Sequence, residues 1–283
     1  MRKPHRRVLA IFSLTLLIFF LARVGLFLVY LEDFHDLTLF EVLRAFARGL
    51  LFDASIIMLV TGGPLLLMLL PFRFAHNRHW LSFWTWANFV LLALFLFVLA
   101  GDIVYFGFVH RHAGPEIVAI GGDVDLMLDM LLGTYWWTLL LFLAACTGLF
   151  FLWRRLFRHA DAEVGRFLPR LAILLVALLS VAVLIRGGLG RKPLDIVDAF
   201  VEDRPSAAYL SLNGPFAMSR ALLNTRKVKS DFFAWDEAVR RTQELLLAPG
   251  ERLLAGAEYP LLRARTATTA RKPNVVVLML ESW

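Results

Sequence analysis

Five apolar segments dominate this sequence up to Arg186: Val8–Tyr30, Leu50–Leu70, Phe83–Ile103, Tyr135–Trp153 and Leu168–Ile185. A helix needs about 20 residues to cross a bilayer. Hydrocarbon offers backbone N–H and C=O groups no partners, so spanning segments are confined to helices or closed barrels; apolar runs this long fit helices. The first segment is too long for a signal-peptide core and no small-residue cleavage site follows it, so it reads as a retained anchor. Composition agrees. The chain is 59% hydrophobic and 19% charged, whereas a soluble domain holds about 45–50% and about 25%. Its 25 phenylalanines suit helix faces that meet lipid.

The short loops set an orientation, because Lys and Arg favour the cytoplasmic side. Arg2, Lys3, Arg6 and Arg7 precede the first segment. Arg73 and Arg78 sit in the second loop without acids, and Arg154, Arg155, Arg158 and Arg166 fall in the fourth. The third loop sets Arg111 against Glu116, Asp123, Asp125 and Asp129, and the first is mixed. The N-terminus is therefore expected in the cytoplasm and everything after Arg186 outside. The net charge of +7 is divided among loops rather than gathered in a stripe, which argues against nucleic acid as a partner. Cys146 is the one cysteine and lies inside an apolar span, so no intrachain disulfide is possible.

Three regions follow from this pattern. Residues 1–186 form a transmembrane domain, with Gly62, Gly63 and Pro64 expected to kink its second helix. Residues 187–270 form an extracytoplasmic connector. Gly187, Gly188 and Gly190 permit a sharp turn out of the membrane, and Leu194–Val201 is compatible with an amphipathic helix. Asn213-Gly214-Pro215 reads as a break, a helix spans about Phe232–Leu247, and Leu253–Ala270 is linker-like. In residues 271–283, RKPNVVVLMLESW, a turn at Pro273-Asn274 precedes the unbroken apolar run Val275–Leu280. Such a run reads as a buried strand of a parallel sheet. Ligands of open α/β sheets bind outside the carboxyl ends of strands, where Glu281 and Ser282 stand.

KPNVVVLMLESW resembles the opening strand of the catalytic domain in the lipoteichoic acid synthase and phosphoglycerol transferase family, which is membrane-anchored and belongs to the sulfatase/alkaline phosphatase superfamily. RGGLGRKPL and LSLNGPF look like that family's connector. The Phe-Asp of GLLFDAS is similar to the start of its second span, and GDIVYFGFVHRHAG to the end of its third. The resemblance implies that Glu281 is a ligand of a catalytic divalent metal, Mn²⁺ or Mg²⁺. It also implies that the nucleophilic Thr and the remaining ligands lie downstream, so this chain holds no catalytic nucleophile and is expected to be inactive alone. Relatives move a phosphoglycerol-type headgroup from a membrane phospholipid to a glycan or polymer at a bacterial-type inner membrane. The expected fold is mainly α: five transmembrane helices, a helical connector and the first strand of a truncated sulfatase-like domain. Phosphoethanolamine transfer or sulfate-ester hydrolysis is the alternative within the superfamily, and a non-catalytic membrane scaffold the alternative outside it.

Ionisable groups within spans point to function. Asp53, Asp102, Arg111 and Arg186 fall near one face, with Arg23 able to join them, as a cluster for a lipid headgroup or for docking. Equally, such side chains can snorkel to water. His110 and His112 read as loop residues, since no third metal ligand accompanies them. Asp123, Asp125 and Asp129 lack the glycine and glutamate of a calcium loop.

Overall fold

In the computed structural model the described residues are 4–114, 129, 132–133, 136–158, 166–190, 192–201, 204–224, 232–254, 259–265 and 276. Helices α1 (Pro4–Val29), α2 (Leu39–Leu67), α3 (Arg78–Val109), α4 (Trp136–Leu156) and α5 (Phe167–Arg186) are each long and apolar enough to cross a membrane. The chain divides into two compact units, Met1–Thr225 and Arg226–Trp283.

Helix α2 is the axis of the first unit. It packs against α1, α3 and α5, and every residue from Phe52 to Met58 is buried. Thr38 caps it: its hydroxyl accepts from Glu41 N while the Glu41 carboxylate takes Thr38 N, which satisfies two donors that a helix start otherwise leaves open. At Gly62-Gly63-Pro64, where a kink is expected, α2 remains helical and continues through Pro64 to Leu67. Gly62 instead lets α5 approach, since a Cβ there would meet Val181 Cγ1 at 2.8 Å. Small residues serve helix contacts in this way where water supplies no driving force.

The neighbours of α2 show inward faces at regular spacing. Leu81, Thr85, Asn88, Leu92, Phe95, Leu99, Asp102 and Phe106 are the buried residues of α3, alternating steps of four and three as in heptad packing. Those of α1 are Arg7, Ile11, Thr15, Phe19, Arg23 and Leu26, so an arginine stands near either end of its inward stripe. Leu9, Leu17, Leu21 and Leu28 are exposed on the same helix. Outward leucines and inward polar groups are the arrangement a lipid solvent favours.

The connector's first half folds onto this bundle. α6 (Pro205–Ser211) and α7 (Gly214–Asn224) pack on α2. Ala208, Leu212 and Phe216 share a core with Phe19, Phe52, Ile56, Phe95 and Leu99, and Phe52 meets Phe216 edge-on at 5.0 Å. The amphipathic helix expected over Leu194–Val201 is only a 3₁₀ turn, Ile196–Ala199. Asp195 and Asp198 cap that turn reciprocally, and Phe200 then leaves helical backbone angles.

In the second unit, α8 (Trp235–Leu246) carries the ion pairs Glu237–Arg241 at 2.8 Å and Arg240–Glu244 at 2.7 Å. Strands β1 (Glu251–Leu253) and β2 (Arg263–Arg265) pair antiparallel, with Arg252 opposite Ala264. The stretch Leu253–Ala270, linker-like in sequence, thus contains a hairpin strand. Gln243 Nε2 donates to Pro260 O at 2.7 Å, tying α8 to the hairpin loop. The strand expected over Val275–Leu280, together with Glu281, falls outside the described residues apart from Val276.

Gly62→Leu is expected to overpack the α2–α5 contact, at a cost of about 1–3 kcal/mol, and to lower the unfolding midpoint in detergent. Gly63→Leu, where a Cβ meets nothing within 4 Å, should leave that midpoint nearly unchanged. Equal responses of the two variants would contradict the close approach.

Candidate functional site

The inward stripe of α1 brings Arg23 level with Asp53 of α2. Arg23 Nη2 lies 2.5 Å from Asp53 Oδ1, with side chains 2% and 0% exposed. The guanidinium also reaches the backbone. Nη1 donates to Leu210 O at 2.5 Å and Leu212 O at 2.7 Å, and Nη2 to Gly49 O at 3.2 Å. Gly49 is required here, because a Cβ at that position would run into the guanidinium. One arginine thus links α1, α2 and the end of α6 through a planar fork of donors, geometry that a lysine does not reproduce.

Asn213 completes the arrangement. Its Nδ2 donates to Asp53 Oδ1 at 2.7 Å, and its Oδ1 accepts from Phe216 N at 2.7 Å. It is therefore the N-cap of α7 and a ligand of the buried carboxylate at once. The motif read as a break is a helix start: Asn213 caps, Gly214 begins α7, and Pro215 occupies a first-turn position where its missing N–H costs nothing.

A second carboxylate lies beside the first. Asp102 Oδ2 is 2.6 Å from His112 Nδ1, and Asp102 Oδ1 accepts from Ala113 N at 3.0 Å. His112 Nε2 is 2.8 Å from Tyr209 O. Both ring nitrogens face acceptors, and the imidazole bridges α3 to α6. The reversal that makes this possible is at His110, the C-cap of α3. Its φ of 55° is left-handed, a region where His is enriched among non-glycine residues. His110 Nδ1 also lies 2.8 Å from Asp33 Oδ1. Gly214 packs against the Asp102 side chain so closely that a Cβ would overlap it. Consecutive residues 213 and 214 are thus fitted to carboxylates on two different membrane helices.

Of the residues singled out in the sequence, Asp53 and Asp102 are buried in this cluster, and Arg23 is at its centre. Arg111 is half-buried, one residue before His112. Arg186 is on the surface, where Nε and Nη2 donate to Gly190 O at 3.2 and 3.0 Å. His112, read as a loop residue, is 6% exposed, because the left-handed turn at His110 folds it back onto Asp102. The only sequence signals for the missed partners are a histidine soon after an intramembrane Asp and an Asn-Gly-Pro helix start. Glu281, Asp123 and Asp125 lie outside the described residues. Among the described residues no three His, Cys, Asp or Glu side chains are grouped to hold a metal ion.

Comparison with protein-family models, curated proteins and solved structures gives no match. The cluster's chemistry is that of a clamp. It carries two carboxylates, one guanidinium and one imidazole, whose hydrogen bonds run between membrane helices and connector.

Arg23→Met should destabilise the protein by about 3–5 kcal/mol, the cost of stranding a buried charge. Arg23→Met combined with Asp53→Leu should recover part of that loss, read as unfolding midpoints in detergent; a double variant as weak as the sum of the singles would contradict the pairing. Gly214→Val should lift the connector off Asp102 and speed proteolysis between residues 205 and 224, while leaving membrane insertion unchanged.

Proposed function

We propose that this chain is the membrane anchor and connector of a transferase resembling lipoteichoic acid synthase. Such an enzyme moves a phospho-headgroup from a membrane phospholipid to a glycan or polymer outside an inner (cytoplasmic) membrane. The observation that carries the reading is the clamp. Asn213 on Asp53 and Gly214 against Asp102 fix the first half of the connector to the helix bundle, where a simple tether needs no buried contacts. The path to a catalytic domain then starts from a point fixed on the membrane helices, within reach of a lipid donor. Effective concentration, rather than any new contact with substrate, is then the gain.

The catalytic part of the proposal rests on RKPNVVVLMLESW. Glu281 is a hard oxygen donor of the kind Mn²⁺ or Mg²⁺ prefers. When bound, such a metal polarises a phosphoryl oxygen and lowers the pKa of a coordinated nucleophile. One carboxylate does not hold it, so the role of Glu281 is that of one ligand among several supplied by the remainder of a catalytic domain.

The test uses a chain continued through a complete catalytic domain, given labelled anionic phospholipid and Mn²⁺. Diacylglycerol release is expected, abolished by Glu281→Ala with membrane insertion intact. Turnover retained in that variant would remove Glu281 from the metal site. A folded full chain that releases no diacylglycerol would overturn the transferase reading.

A further inference from the structure

We propose that His112 is a proton-dependent lock on the connector: closed, it carries a proton on both ring nitrogens, and loss of one frees α6 from α3. The inference rests on the buried cluster alone and does not depend on the transferase reading.

The proton count follows from the partners. His112 Nδ1 lies 2.6 Å from Asp102 Oδ2, and Nε2 lies 2.8 Å from Tyr209 O. A carbonyl oxygen and an ionised carboxylate only accept, while a neutral imidazole offers one N–H and one lone pair. Either neutral tautomer therefore sets a lone pair against an oxygen. Turning the ring over does not help, because carbon would then face those oxygens at less than the closest usual C···O contact of about 3.3 Å. Only the imidazolium donates to both. Its side chain is 4% exposed and that of Asp102 3%, so water does not relieve the mismatch. Tyr209 O is also one of the carbonyls that a helix end leaves without an internal donor, a place that favours a cation. Leu210 O and Leu212 O beside it are taken by Arg23.

The surroundings balance that charge. Asp53 on α2 interacts electrostatically with His112, and Arg23 on α1 is paired with Asp53. Arg111 adjoins the ring in sequence and is half-buried. His110 and Asp33 pair with each other nearer the surface, α6 contributes Tyr209, and α7 contributes the uncharged Gly214. With His112 charged, the buried set of Asp53, Asp102, Arg23 and His112 sums to zero. With a neutral imidazole it holds one uncompensated negative charge, which burial disfavours. A neutral ring keeps the stronger, charge-assisted bond to Asp102 and gives up Tyr209 O, the link to the connector. In an opened form both side chains meet water, where an imidazole is neutral above about pH 6.5 and a carboxylate is ionised. The closed form thus binds one proton more, and rising pH favours opening, by about tenfold per pH unit above that range.

Two measurements test this. Nitrogen-15 spectra of histidine-labelled protein in bilayers count the ring protons directly. They are taken on a His110→Asn background, which removes the other carboxylate-paired ring and keeps a residue type that tolerates left-handed backbone. At about pH 8, where free imidazoles are neutral, one histidine is expected to retain both ring protons; if every ring shows an unprotonated nitrogen, the proposal is overturned. The second measurement follows hydrogen exchange of the Leu212 amide with pH, corrected for the intrinsic base-catalysed rate. Protection should fall about tenfold per pH unit. In Asp102→Asn the new amide donates to Nδ1 of a neutral ring and still accepts from Ala113 N, so the connector stays protected and the pH slope should vanish. A slope that persists in that variant, or none in the unaltered protein, would overturn the lock. The ring-proton count needs no change at Asp102 and decides the matter even where Asp102→Asn folds poorly.

Discussion

An arginine and an aspartate placed in an apolar bundle must meet, because neither charge is tolerable there alone. Burial of an unpaired ion costs several kcal/mol even after relaxation, and a paired one roughly breaks even. Arg23 and Asp53 thereby fix the rotation of α1 against α2, and the four acceptors taken up by the guanidinium extend that constraint to the end of α6. Arg23 Nε and Asp53 Oδ2 make no hydrogen bond among the described residues. A pair satisfied only in part contributes register more than stability. The connector's position depends on it, since Leu210 and Leu212 offer their carbonyls to this guanidinium and Asn213 bonds the same carboxylate oxygen.

The rest of the first unit is arranged around α2. Its continuous burial from Phe52 to Met58 is unusual for a helix that also meets the apolar requirement for spanning. The reason is that its partners change along its length: Asp53 faces Arg23, Ser55 Oγ donates to Ile185 O at 2.8 Å, and Gly62 lies under Val181. At the opposite end, Arg7 Nη1 donates to Thr85 Oγ1 at 3.2 Å, and its guanidinium lies 5.9 Å from the centre of the Phe157 ring. Both ends of α1 are thus anchored by an arginine on the same inward stripe, with Phe19 packed edge-on to Phe95 at 5.1 Å between them.

The spanning helices were legible because their signal is additive over many residues: each segment is long, apolar and free of central charges. Ends were read less well. α2 begins at Leu39, well before the apolar run at Leu50, because Thr38 and Glu41 form a capping box and Glu41, Arg44 and Arg48 are good helix formers. In the cluster, Asp53 and Asp102 stood out as charges in apolar surroundings. His112 and Asn213 did not, since their roles depend on a left-handed residue at His110 and on contacts between residues more than ninety positions apart. The short hairpin of the second unit was missed for a similar reason: its strands are three residues each, below the length at which alternation can be recognised.

Hydrogen exchange across residues 205–217 tests the clamp most directly. Local opening sets the exchange of each amide, so a connector welded to the bundle must exchange as slowly as the helices it touches. The account predicts that the amides of Leu212, Phe216 and Ala217 are protected to the same degree as those of α2 near Asp53, and that Asn213→Leu selectively removes this protection. Rapid exchange of those amides in the unaltered protein, with α2 still protected, would show that the connector is not held by the carboxylates and would contradict the account.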